Sequence, residues 1–301
     1  TAMAAVALLT AALAAGLAST RLSTLPKGIS PFSRPDGASA SARTRVLTDV
    51  SAAITAALAD GKQLLEVDFP GLIGTKTQFD DFSNIEMLNA NRDFAFELIP
   101  RIAVGKGLDV CLLDDEECDL ARAAFPGGAY RDARVMSLAF AARAYSGREG
   151  GKSIVSALMS IGKDAPPPPA ERETPATLRL VVQPCEEGRV DDWLNMELLN
   201  SGVGAGVPIV CLNGYLDKQR SGYYPRWQFP DVSRCGDEFI SRFEPVYFLR
   251  PLQVKGRVGW LLRVHGEPWQ LFAQDRDGAP LLSTFETRPT FETMSELLLA
   301  R

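Results

Sequence analysis

The pattern of apolar and polar positions is clearest from Thr177 to Leu216. Leu178 to Val182 is a short apolar run, and Pro184 stops it. From Gly188 to Asn200, Val190, Trp193, Leu194, Met196, Leu198 and Leu199 recur among acids at a spacing that suits a helix with one buried stripe. Gly202, Gly204 and Gly206 end this helix, and Val207 to Leu212 reads as a second buried strand. Strand, helix and strand within about 35 residues make a βαβ unit, whose crossover is right-handed in nearly all cases. Such a unit needs a parallel sheet covered on both faces, so the rest of the chain has to supply the cover.

The same alternation of periods runs upstream. Val46 to Ala59 reads as an amphipathic, alanine-rich helix stopped at Asp60-Gly61, and Gln63 to Phe69 as a strand ended by Pro70-Gly71. Thr75 to Asn84 is a polar loop. Ile85 to Ile102 carries helical spacing disturbed by Pro100. Leu108 to Leu113 is a strand, Asp114 to Ala124 a helix with acids in its first turn, and Arg134 to Phe140 a strand. Beyond Asp217 the pattern changes. Pro245 to Leu252, Arg257 to Val264 and Trp269 to Gln274 are strand-like and separated by tight turns, and Phe291 to Ala300 is a closing helix.

These elements predict an α/β fold: a mostly parallel, Rossmann-like sheet with helices on both faces, extended by a C-terminal antiparallel meander. The expected organisation is an apolar segment at 1–20, a linker at 21–44 rich in Pro, Ser and Ala, and a single α/β domain at 45–301 with an inserted loop at 141–176 that holds Pro166 to Pro169. Thr1 to Thr20 contains no charged residue. A membrane span or membrane-surface helix, the apolar part of a targeting peptide, and a transit-peptide remnant are the competing readings. The chain begins at Thr1 rather than Met, so it is expected to be a processed or partial product in which this segment is retained. If it spans, Arg21, Lys27, Arg34, Arg43 and Arg45 behind it place the globular part on the cytoplasmic or stromal side.

Composition narrows the function classes. A net charge of −5 argues against a nucleic-acid partner, which calls for a basic face. Five scattered cysteines without CxxC spacing fit reduced thiols rather than a disulfide framework. A single histidine, His265, excludes sites that need two, and it reads as an ordinary edge-strand residue rather than part of a Ser-His-Asp triad. No metal site and no cofactor are expected.

Three constellations suggest chemistry. Gly147 to Ser153 resembles a phosphate loop but carries Ser146 where the first glycine belongs. Gly202, Gly204 and Gly206 imitate a dinucleotide fingerprint in reversed context, after a helix and before a strand, so a helix C-cap is the better reading. Asp68, Asp114, Cys185, Glu186 and Asn213 all fall at strand carboxyl ends, where open parallel sheets bind ligands. A magnesium- or phosphate-handling site could be built from them. Helix capping explains the same residues with less. Tyr223, Tyr224, Trp227 and Phe229 crowd a proline-containing loop that reads as exposed contact surface, whereas Trp260 and Trp269 read as core.

Three stretches carry a family likeness: VSAAITAALADGKQLLEVDFPGL from Val50 to Leu72; RLVVQP followed by PIVCLNGYL; and FEPVYFLRPL from Phe243 with VHGEPWQLFAQDRDG from Val264. In this order they resemble the domain of unknown function found in plastid and cyanobacterial proteins, including the chloroplast low-PSII-accumulation type of assembly factor. The likeness covers about Val46 to Phe285. It implies a chloroplast protein that works with the photosynthetic apparatus. The acidic charge, the aromatic loop and the absence of catalytic motifs add the expectation of a non-enzymatic interaction protein, and the basic flank behind residues 1–20 places it on the stromal side of the thylakoid membrane. Its partners would be photosystem subunits or assembly intermediates, and its role photosystem II assembly or that of an accessory subunit. It brings no catalytic residues. The alternative, from the residues alone, is a nucleotide- or phosphate-binding enzyme that uses the strand carboxyl ends.

Overall fold

The computed structural model describes residues 24, 38–70, 83–102, 107–126, 133–146, 176–185, 189–202, 205–275 and 278–301. The apolar segment 1–20, the glycine loop from Gly147 to Ser153, the proline run from Pro166 to Pro169, and Glu186 lie outside them. Among the described residues, no helix is long and apolar enough to cross a membrane.

Helix α1 (Ala38–Ala59) leads into strand β1 (Leu64–Asp68). There follow α2 (Asn84–Leu98), β2 (Leu108–Leu112), α3 (Asp115–Ala124), β3 (Arg134–Ser137) and α4 (Leu138–Ser146). The next elements are β4 (Leu178–Val182), α5 (Asp191–Leu199), β5 (Ile209–Leu212), α6 (Leu216–Arg220) and α7 (Pro230–Glu238). The chain ends with β6 (Glu244–Val254), β7 (Arg257–Val264), β8 (Trp269–Gln274), β9 (Leu281–Phe285) and α8 (Phe291–Leu299). The strands form one sheet in the order β3-β2-β4-β5-β1-β6-β7-β8-β9. Pairings from β3 to β6 are parallel and those from β6 to β9 antiparallel. The expected parallel α/β sheet with an antiparallel C-terminal extension is therefore present.

Period-two alternation sends side chains to two cores. Leu65, Val67, Val110, Leu180, Val210 and Leu212 pack on one face against α1, α2 and α3 through residues such as Val50, Ile54, Phe94 and Ala121. Leu64, Cys111, Val181, Ile209 and Cys211 pack on the other against α4, α5, α6 and α7 through Ala141, Trp193, Leu216 and Cys235. A third cluster seats Met294 and Leu298 of α8 on the meander.

Several expected boundaries shift. The helix expected from Val46 starts at Ala38, so the last part of the expected linker, 38–44, is helical and Ala42 is buried. The strand expected to run to Phe140 ends at Ser137, and α4 occupies the first part of the expected inserted loop. An apolar run such as VMSLAF does not by itself separate a strand from a buried helix. Pro100 closes α2 by entering a short 3-10 turn, Ile99–Arg101. The short helices α6 and α7 and the fourth meander strand, β9, are additions to the expected elements. All five cysteines are buried and unpaired.

Helix α2 positions the site described next, and its start is held by a capping box. The Ser83 hydroxyl accepts from the Glu86 backbone N–H, and the Glu86 carboxylate accepts from the Ser83 N–H. Ser83→Ala is expected to cost about 1 kcal/mol, read as a lowered midpoint in urea at unchanged slope.

Candidate ligand crevice and aromatic loop

The chain leaves β1 for α2 on the first face but leaves β5 for α6 on the second. Because β1 and β5 are neighbours, their carboxyl ends open a crevice between diverging loops, the usual ligand position of open α/β sheets. The same divergence recurs between β2, which continues to α3, and β4, which continues to α5. Both points hold a cavity. The one at β1 and β5 measures about 180 Å³ and is lined by Asp68, Phe69, Met87, Asn91, Asn213 and Arg250, with Pro70 and Tyr215 at its edge. The one at β2 and β4, beside Leu88, Arg92, Leu113, Glu117 and Gln183, is only about 10 Å³.

A buried chain of amides joins the two. Asn213 Oδ1 accepts from the Phe69 backbone N–H at 2.9 Å, Asn213 Nδ2 donates to Asn91 Oδ1 at 2.8 Å, and Asn91 Nδ2 donates to Gln183 Oε1. Asn91, Gln183 and Asn213 are all nearly inaccessible. The backbone there is unusual. Gln183, Cys185, Asn213 and Tyr215 have φ of 43°, 71°, 51° and 51°, four of the five non-glycine residues with positive φ among those described. Each costs free energy that the surrounding structure has to offset, and such residues gather at functional sites. Here the offset is visible: Gln183 N–H donates to Leu212 O and Asn213 N–H to Val67 O, which continues the ladder beyond the strand ends.

On the second face a ladder of charges closes the crevice floor. Arg250 donates from Nε and Nη2 to both oxygens of Asp68, and from Nη1 to Asp217 at 2.8 Å. Arg288 grips Asp217 in a two-bonded fork at 2.6 and 2.7 Å. Arg220 donates to Glu66 at 2.6 Å and to Phe243 O. Burial would lower the Arg250 guanidinium, but Asp68 and Asp217 more than reverse this and raise it. Burial would raise Asp217, yet Arg288, Arg250 and Arg220 together hold it below the ordinary carboxylate value. For Glu66 burial wins over the pull of Arg220 and lifts the carboxyl to about 7.

The expected strand-end residues thus separate. Asp68 and Asn213 meet in the larger crevice. Asp114 lies at the other divergence, where its Oδ1 caps α3 by accepting from the Glu117 N–H and its Oδ2 pairs with Arg189 at 3.3 Å. Capping accounts for it. Cys185 is buried, with its thiol held well above its ordinary value by burial, and its backbone N–H is taken by Asp192. Sequence reasoning missed Asn91, Gln183 and Arg250. Asn91 sits mid-helix with no motif around it, and Arg250 lies 182 positions from its partner Asp68. Among the described residues, no group of three or more metal-ligating side chains gathers. His265 bonds Asp60 through Nε2 at 2.8 Å.

The aromatic loop between α6 and α7 divides in two. Tyr224 turns inward and stacks edge-on with Trp193 and Phe229, ring centroids 5.3 Å apart in each pair. Trp193 is fully buried and donates from Nε1 to Gly214 O. Tyr223 and Trp227 face outward, 68% and 82% exposed. Tyr224 and Phe229, expected at the contact surface, are therefore turned partly inward, because Tyr224 loses water-exposed area by packing on Trp193 and Phe229 by packing on Tyr224.

These features define an α/β protein of the doubly wound class with a crevice at its sheet's switch point and an outward aromatic pair. The chain belongs to the family described as a domain of unknown function (DUF1995), whose match spans residues 41–296. No curated protein and no solved structure matches it.

Proposed function

We propose that this chain is a non-enzymatic plastid docking protein. It works on the stromal side of the thylakoid membrane and binds photosystem subunits or assembly intermediates, in photosystem II assembly or as an accessory subunit. The supporting observation is the outward pair Tyr223 and Trp227 in one short loop, with the Tyr223 ring edge-on to Tyr224. Exposed Trp and Tyr recur as the residues that dominate interfaces. The order of the three sequence stretches that resemble the plastid assembly-factor type supplies the setting, and the apolar segment 1–20 offers a membrane attachment.

Gentle solubilisation of thylakoids, separation by size and mass spectrometry of this chain test the reading. Stoichiometric migration with a mature photosystem makes it a subunit, trace migration with sub-complexes makes it an assembly factor, and migration alone sinks the proposal. Trp227→Ala is expected to weaken co-migration about 30-fold, the equivalent of a 2 kcal/mol contact. The unfolding midpoint should stay within about 0.5 kcal/mol, because the ring packs on nothing that folding needs.

The position of the crevice between β1 and β5, though not the charges that line it, supports a second reading, an enzyme that binds a nucleotide or phosphate compound at the strand carboxyl ends. A rise in melting temperature with ATP and magnesium supports it; no rise with any nucleotide sinks it.

A further inference from the structure

We infer that the crevice between β1 and β5 is a binding site for an uncharged nucleoside, and that it recognises the ring and hydroxyls rather than phosphate. The groups that face it decide the class. Arg250, the one cation among the described residues that line it, spends Nε and Nη2 on Asp68 and Nη1 on Asp217, so its donors are already directed at two carboxylates, the second shared with Arg288. A phosphate entering here would meet a guanidinium already engaged and the Asp68 carboxylate, and would lose hydration without gaining a free ion-pair partner.

Neutral groups fare better. The two oxygens of a carboxylate offer about four acceptor positions, and Arg250 uses one on each oxygen of Asp68. Acceptor positions on Asp68 remain for a sugar hydroxyl. Asn91 and Asn213 each use one amide N–H within the network, on Gln183 and Asn91 respectively, which leaves each a second N–H donor. Neighbouring amides that donate and accept match the edge of a base, the pairing that asparagine makes with adenine. Phe69 and Met87 form the apolar wall on which a flat ring can lie.

The network is also preset. Asn213 is pinned by the Phe69 N–H and held at positive φ, so the amides are oriented before a ligand arrives and little ordering remains to be done on binding. None of these residues belongs to the docking loop, so a failed co-migration experiment leaves this inference standing, and the reverse also holds.

The test uses the full chain with adenosine, guanosine, cytidine and uridine, each compared with ATP plus magnesium and with inorganic phosphate. At least one nucleoside is expected to raise the melting temperature, by about 5 °C at 100 times its dissociation constant. Equilibrium dialysis of the unmodified chain should give the same ranking. Met87→Trp fills the crevice and should abolish the shift. Hydrogen exchange on the unmodified chain should show nucleoside-dependent protection at residues 68–70, 87–91 and 213–215, a readout that needs no variant to fold. The inference is overturned if no nucleoside binds, if only ATP or phosphate binds, if Met87→Trp folds and still binds, or if protection falls elsewhere.

Discussion

Asp109→Ala is expected to destabilise the domain by about 3–5 kcal/mol, the largest effect of any single substitution considered. Asp109 is fully buried on β2. Its carboxylate accepts from Arg134 at 3.1 and 3.3 Å and from the Tyr145 hydroxyl at 2.5 Å. Beside it lies Arg179 of β4, almost wholly buried, its guanidinium 4.4 Å from the Tyr145 ring and one Nη bonded to Leu199 O. Burial depresses the Arg179 guanidinium, and Asp109 is among the charges that oppose this. Remove the carboxylate and β4 keeps a buried cation with less compensation, while Tyr145 and Arg134 lose their acceptor. Asp109→Asn keeps an acceptor for both without the charge, so it should cost clearly less than alanine. Guanidinium-chloride unfolding of the three chains checks the order. Equal costs for alanine and asparagine would show that charge, not hydrogen bonding, dominates. An alanine cost under 1 kcal/mol would refute the account.

The second large effect is on pH dependence. Glu66 sits in the central strand β1, facing Arg220, with Asp68 and Asp217 nearby. Burial lifts its carboxyl from 4.5 to about 7. Between those values the folded chain holds a proton that the unfolded chain releases, so stability falls as pH rises. The contribution is complete below pH 4.5 and lost by the time pH passes about 7. Over that window the fall amounts to ~3 kcal/mol, since each pH unit is worth 1.36 kcal/mol per proton. Glu66→Gln should match the wild type near pH 5, where both side chains are neutral, and exceed it near pH 8, where the wild type carries a buried negative charge. Urea midpoints of both chains at pH 5, 6.5 and 8 provide the comparison. A constant gap between the two across that range would mean that Glu66 does not titrate there.

Much of the fold was legible in sequence because its strands are buried on both faces. LLEVD, LDVCL, LRLVV and IVCL are fully buried runs, and a parallel sheet is the arrangement that buries such runs. The last two meander strands before β9 appear where the turn signals Lys255-Gly256 and Gly266 put them, both glycines at φ 81°. The five-residue α6 carries too few turns for a stripe to show, α7 starts at Pro230 directly behind the aromatic, proline-containing loop and reads as part of it, and α4 follows β3 without a break because the apolar run crosses the boundary. The candidate site was legible only by half. Asp68 and Asn213 could be placed at strand ends by counting, yet Asp114 and Cys185 met the same criterion and belong to a helix cap and a core.

The sequence by itself determined the class of sheet, the buried strands and the loop that holds the exposed aromatics, since each follows from local hydrophobic period and turn chemistry. Only the tertiary structure decided the strand order and, through it, the crevice. Which strands become neighbours depends on contacts across more than a hundred residues, such as Phe69 with Asn213, 144 positions apart, and Arg220 with Glu66, 154 apart. Only the packing of Tyr224 on Trp193, and of Phe229 on Tyr224, decided which aromatics of one short loop face outward. Period and propensity act over a few residues. Pairing, divergence of loops and the matching of buried charges act through space, where the chain's own spacing carries no mark.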